Sequence, residues 1–188
     1  MMRYFCVTII LLVLAFTTGR FIGPNPAAAA ASAAKINRDA KGALEKLYAQ
    51  SSSARTLGEK AKGILVFPSI VKGGFMVGGQ FGEGALIKDG KWAAYYNTIS
   101  ASYGLQIGLQ KYGYALFFMS ESAMDWLDRS DGWEIGVGPS IVVVDTGAAK
   151  SMTTTTLQAE IYAFFFDQKG LMGGLGLQGT KITRMKEK

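Results

Sequence analysis

Histidine is absent from this 188-residue chain, and cysteine occurs once, as Cys6. Without an imidazole, neither the Ser-His-Asp and Cys-His nucleophile arrangements nor the usual zinc sites can be assembled. A single cysteine closes no disulfide within the chain, and Cys6 lies in an apolar leader that is expected to be removed, so the fold must be held by its core alone. Cys6 also lacks the small-residue context of a lipidation site. Charge is sparse as well, at 18% of positions against 49% hydrophobic. That composition suffices for one sizeable core and one domain. The formal balance of +6 is compatible with an anionic membrane surface but too mild to establish one, and no nucleic acid partner is expected from it. No GxxxxGK[ST] phosphate loop occurs.

Glycine, by contrast, is concentrated. Between Ile64 and Lys88 the chain runs ILVFPSIVKGGFMVGGQFGEGALIK, with Gly73, Gly74, Gly78, Gly79, Gly82 and Gly84 interleaved with Phe75, Met76, Val77 and Phe81. Residues this bulky do not suit a flexible linker, so the stretch predicts two strands bent by glycine. Glycine inside a strand marks a bulge, a sharp bend or the close approach of another group. A dinucleotide fingerprint would need a helix after the glycines. Here GGQFGEG leads into ALIKDGKW, a strand and an Asp-Gly hairpin.

The leader, YFCVTIILLVLAFTTG after Arg3, has the length of a signal-peptide core, and RFIGPNPAAAAASAAK follows it. Residues 1–34 are therefore expected to be a signal peptide with an alanine-rich cleavage region, cut within Ala27 to Ala34, with an uncleaved anchor as the alternative, and residues 35–188 a single exported domain, periplasmic or secreted. In that domain Ala40, Ala43, Leu44, Leu47 and Tyr48 have the spacing of a helix over Arg38 to Gln50 that docks on the domain's own sheet. Ser51 to Ser53 cap a second helix, Ala54 to Lys62, which Gly63 would end in a left-handed conformation. Strands are expected to turn near Gln110 to Gly113 and at Asp167 to Gly170. Ser120 caps a short helix, Glu121 to Asp128, and the β-branched Ile141 to Val144 predicts a central strand. Ser151 to Thr156 predicts an edge strand. Four segments place spaced glycines before or within an apolar run, at an irregular period. The fold class is α+β: a curved, glycine-kinked, mostly antiparallel sheet with two N-terminal helices and one inserted short helix.

Candidate chemistry is thin. Asp125, Asp128 and Asp131 have the spacing of a solvated helix end rather than a calcium loop. Glu83, between two glycines, is either a buried carboxylate or a turn residue, and the second is favoured. Lys60, Lys62 and Lys72 bracket the central stretch beside Phe75, which is the combination a phospholipid interface selects for, although three such lysines are also ordinary solvated surface. No metal site, cofactor or enzymatic activity is expected.

The segment LVFPSIVKGGFMVGGQFGEGAL, with SYGLQIGLQKYGYALFFMSESAMDWL, GVGPS and IYAFFFDQKGLMGGLGLQG, resembles the SYLF domain family, also described as the Las-seventeen-binding or actin-binding family. The resemblance covers about Asp39 to Thr180. It implies non-enzymatic binding of phospholipid at a membrane surface, a phosphoinositide or another anionic lipid. It also implies that Lys60, Lys62 and Lys72, with Lys41 and Lys46 on the preceding helix, meet the membrane. Members with actin roles usually add an SH3 or FYVE module. None is evident here, and with an export signal actin is not an expected partner. The competing expectations are a small outer-membrane β-barrel or envelope structural protein, and an enzyme using Glu83 or the aspartates.

Overall fold

The computed structural model describes residues 26–75, 77–103, 108–129, 131–144, 159–170, 177 and 179–186. Helices α1 (Pro26–Gln50) and α2 (Ser52–Lys60) precede strands β1 (Gly63–Phe75), β2 (Val77–Lys88), β3 (Lys91–Tyr103) and β4 (Gly108–Phe118). A short helix, α3 (Glu121–Met124), runs on as a 3-10 turn over Asp125–Asp128. Strands β5 (Trp133–Glu134), β6 (Ile141–Val144), β7 (Ile161–Gly170) and β8 (Lys181–Arg184) complete one eight-stranded sheet, ordered β5-β8-β3-β2-β1-β4-β7-β6. Among the described strands only the β6–β7 pair is parallel. The α+β architecture expected from the sequence is the one observed.

The sheet curls on itself. Trp133, on one edge strand, has its ring centroid 6.1 Å from that of Phe118 on β4, five strands away in the sheet order. In a flat sheet that separation would be about 24 Å. Curling makes an inside and an outside. Inside lie Leu65, Phe67, Ile70, Leu86, Tyr96, Tyr114, Leu116, Phe118, Trp133 and Ile182 in one core. Met124 and Leu127, from α3 and its 3-10 extension, are buried in the same core. Outside, a second core forms where α1 and α2 cover Ile64, Val66, Ala85, Ala115, Phe117, Tyr162 and Phe164 with Ala40, Leu44, Leu47, Ala54 and Leu57.

Bulges supply the curvature. In β1, Phe67 and Pro68 oppose Gly84 alone on β2, and Pro68 and Ser69 oppose Gly113 alone on β4. Pro68 sits there, where a missing N–H costs no ladder bond. On the inner face Gly82 and Gly84 admit Ile70 and Phe67: a Cβ at Gly82 would lie 2.2 Å from Ile70 Cδ1, and one at Gly84 would lie 2.6 Å from both Phe67 Cδ1 and Val66 O. The glycines in these strands therefore serve bulging and close packing, as their placement suggested.

Several boundaries differ from expectation. α1 begins at Pro26 rather than near Arg38, because Ala27 to Ala34 is the strongest helix-forming stretch of the chain and proline suits the first helical turn. α2 is capped by Ser51, whose Oγ accepts from Ala54 N at 3.1 Å, but it ends on Ala61 in extended conformation. Gly63 opens β1 instead of terminating the helix; a Cβ there would lie 2.8 Å from Met124 Sδ. Gln110 to Gly113 is interior to β4 and Asp167 to Gly170 interior to β7. The polar residues of β7 mark a bulge: between the Lys111–Lys169 and Gly113–Phe166 pairs, Asp167 (φ 52°) and Gln168 oppose Tyr112 alone. Among the described residues Ile141 to Val144 stands at the end of the sheet order rather than at its centre: the partner described for it is β7, and Val142 and Val143 are exposed. Glu83 is paired in mid-strand with Ser69 and Asn97, not placed in a turn. Asp89 and Gly90, both at positive φ, make the expected hairpin. The proposed strand Ser151–Thr156 and the leader to Asn25 lie outside the described residues.

Candidate functional site

The helices cover the outer face of the sheet only near the start of β1. Toward the β1–β2 hairpin no described helix covers the outer face, and its side chains fall in register across the strands. Lys181 on β8 stands opposite Ile99 on β3, Ile99 opposite Phe81 on β2, and Phe81 opposite Val71 on β1. Val71 in turn stands opposite Lys111 on β4, and Lys111 opposite Lys169 on β7. Ile99 and Phe81 are each 53% exposed and Val71 is 48% exposed. The three lysines are exposed as well, and Glu134 on β5 ends the row beside Lys181. One row nearer the hairpin, Leu109 is 69% exposed and lies against Gly73, followed by Gly79 and Ala101. One row toward the helices, Asn97, Glu83 and Ser69 are polar.

Between this row and α1 runs a groove. Its cations are Arg38, Lys46, Lys111 and Lys169, and its carboxylates Asp39 and Asp167. Lys46 Nζ lies 3.7 Å from Asp167 Oδ2, and Lys35 Nζ donates to Asp39 Oδ2 at 2.6 Å. Positive charge is in excess along the groove, and the apolar row continues from it.

The inner face of the same end is polar. Ser100, Gln80, Lys72 and Gln110 form the row directly behind Ile99, Phe81, Val71 and Leu109. Gln80, Lys72 and Gln110 are buried. Gln80 Nε2 donates to Thr180 Oγ1 at 3.1 Å, and the Tyr112 hydroxyl donates to Gln80 Oε1. The Tyr114 hydroxyl donates to Thr98 Oγ1 at 2.8 Å. Burial pushes the Tyr112 phenol up to about 12 and raises that of Tyr114 further, so both remain hydrogen-bond donors at ordinary pH.

The residues singled out from the sequence are scattered by this arrangement. Lys46 lines the groove. Lys41 is on the solvent face of α1, 3.9 Å from Glu45. Lys60 and Lys62 are exposed at the end of α2, where Lys62 N donates to Phe118 O at 2.8 Å. Lys62 is nine residues, roughly 30 Å of extended chain, from Val71. Lys72 is buried inside the curled sheet, not at its surface. Phe75 ends β1, and its side chain lies outside the described residues. Lys111, Lys169 and Lys181 were missed because nothing along the chain links them; strand pairing alone brings them into one row. Among the described residues no three or more side chains of His, Cys, Asp or Glu gather as a metal site, and no helix is long and apolar enough to cross a membrane.

A curled sheet with an exposed, lysine-flanked outer face presents a surface for binding. Residues 99–188, from within β3 to the C-terminus, match the family model described as Ysc84, Las17-binding protein actin regulator. The matched family is the SYLF family that the chain's motifs resemble, and the match covers 90 of the 188 residues; the Leu65 to Leu86 motif precedes the matched span. It is a family of binding domains, linked to lipid and to actin. No curated protein matches the chain.

Proposed function

We propose that this domain binds anionic phospholipid at a membrane surface, as an exported, peripherally associated protein. The observation that carries the reading is the row Lys181, Ile99, Phe81, Val71, Lys111, Lys169, in which three exposed apolar side chains are flanked by ammonium groups on both sides. Apolar groups between cations match a bilayer interface, where head-group charge attracts lysine and the acyl boundary takes the apolar side chains. The cationic groove beside α1 extends the same attraction. Three lysines give modest binding, worth about 1 kcal/mol each near an anionic leaflet, so the association is reversible and weakens with salt. Sedimentation with anionic and with neutral vesicles across a salt series tests the reading. Binding that prefers anionic vesicles and falls with salt is expected; equal binding to both, or none at low salt, overturns it. Terminal sequencing of the exported protein tests the leader, with an N-terminus inside Ala27 to Ala34 as the expected result.

A further inference from the structure

At its hairpin end the curled sheet is inverted. Elsewhere its interior is apolar, and where the outside is apolar too, α1 and α2 cover it. Beyond Ile70 the pattern changes. The inner row becomes Ser100, Gln80, Lys72 and Gln110, while the outer rows become Ile99, Phe81, Val71 and Leu109, with Gly73, Gly79 and Ala101 between them. A sheet end surrounded by water calls for the opposite arrangement. Apolar outside and polar inside is what a curled sheet needs where hydrocarbon surrounds it. Gln110 Oε1 is buried without a hydrogen-bond partner among the described residues, which underlines how polar this part of the interior is.

We infer that the hairpin end of the β1–β4 sheet inserts into one leaflet, with Phe81, Ile99, Val71 and Leu109 in contact with acyl chains. The polar row at Lys72 stays sequestered inside the curl. The lysines fix the depth: Lys111, Lys169 and Lys181 share the row of Val71, Phe81 and Ile99, so their long side chains stay at head-group level while the hairpin end goes deeper. From Val71 to Phe75 only four residues remain, roughly 13 Å of strand, against a hydrocarbon core of about 30 Å. The end therefore enters one leaflet and does not span the membrane. Helices α1 and α2 remain outside it, near the start of β1.

The inference rests on membrane binding as proposed above, and depth-sensitive labelling separates the two. In a Cys6→Ser background, an environment-sensitive fluorophore on Phe81→Cys or Leu109→Cys is expected to shift to the blue, and to be quenched by shallow spin-labelled lipids, on vesicles containing phosphatidylserine. The same label on Glu45→Cys, on the outer face of α1, should not change. Sedimentation without a shift at either strand position overturns insertion and leaves surface binding standing. A blue shift that appears without vesicles as protein concentration rises, with a doubled mass, assigns the face to a second copy of the chain and also overturns it. Phe81→Asp and Ile99→Asp, both at exposed positions, should keep the thermal unfolding of the parent and lose about ten-fold or more in vesicle affinity. Undiminished affinity in both would be decisive against the inference.

Discussion

Gln80 and Phe81 are adjacent in β2 and divide its two faces. Gln80 is 5% exposed and donates to Thr180 Oγ1 at 3.1 Å inside the curled sheet, whereas Phe81 is 53% exposed on the outside. Strand alternation makes the opposition unavoidable once the register is set. What is unusual is its sense, with amide inward and phenyl outward, and the same sense holds at Lys72 and Val71 and at Gln110 and Leu109.

The lysines of the outer row are predicted to carry the electrostatic part of membrane binding. Reversing Lys111 and Lys169 to glutamate should weaken binding to anionic vesicles by roughly thirty-fold for each lysine, from about 1 kcal/mol per charge near the surface and two charges per reversal, and should flatten the salt dependence. The same reversal at Lys60 and Lys62 should do less, because those residues stand at the far end of β1. Vesicle titration of the two double variants at low and moderate salt provides the comparison. A larger loss at Lys60 and Lys62 would move the contact surface to α2.

Gly82 and Gly84 should resist substitution for reasons of space, and Gly42 should not. A Cβ at Gly82 would sit 2.8 Å from the Ser69 carbonyl oxygen, and one at Gly84 2.6 Å from that of Val66, so backbone would have to move. Gly82→Ala and Gly84→Ala are each expected to cost about 1–3 kcal/mol. Gly42, in the middle of α1, has nothing within 4 Å of the same position. Gly42→Ala should stabilise by about 0.5–1 kcal/mol through helix propensity and a less free unfolded chain. Thermal and denaturant melts of the three variants check both signs.

Much of this arrangement is visible along the chain, and the rest is not for a physical reason. The buried stripe of α1 follows from Ala40, Leu44 and Leu47, since helical neighbours are sequence neighbours. The Asp89-Gly90 hairpin follows from local turn chemistry. Bulges look like turns in sequence: Asp167 and Gln168 form one in β7, Gly113 of β4 makes room for the Phe166 ring, and both strands continue through. Whether Ile141 to Val144 is central or at an edge depends on the sheet order, which four β-branched residues do not encode. The outer row is the extreme case. Its apolar members read as ordinary strand residues, and its lysines are drawn from β4, β7 and β8.

Raising the pH above 10 should destabilise the fold through its buried phenols. Burial holds Tyr96 and Tyr112 up to about 12 against an ordinary 10.0, and Asp128 adds to the effect at Tyr96. In the unfolded chain these phenols give up their protons near pH 10, while the folded chain keeps them until about 12. The folded state thus binds more protons in that window, and stability falls as pH rises through it; below pH 10 the contribution is complete. Denaturant melts at pH 8 and pH 11 measure the loss. Tyr112→Phe should reduce the pH dependence, while lowering stability at pH 8 by about 1–3 kcal/mol because Gln80 Oε1 loses its buried donor.

Closure of the sheet is testable through Phe118 and Trp133. The two rings sit 6.1 Å apart at a tilt of 58°, although their strands are separated by four others in the sheet. Both side chains are buried, Phe118 at 0% and Trp133 at 1% exposure, and the Trp133 indole donates from Nε1 to Val137 O at 2.9 Å. Each truncation to alanine is expected to cost about 3–5 kcal/mol as a core cavity. In a flat sheet the two losses would add, since residues farther apart than about 10 Å rarely couple. In the curled sheet the double variant should lose less than the sum, by about 0.5–1.5 kcal/mol for the aromatic contact. Phe118→Leu with Trp133→Phe gives a milder cycle if the alanine pair fails to fold. Strict additivity in that cycle would contradict the contact that closes the sheet, and with it the enclosed interior that gives the hairpin end its inverted faces.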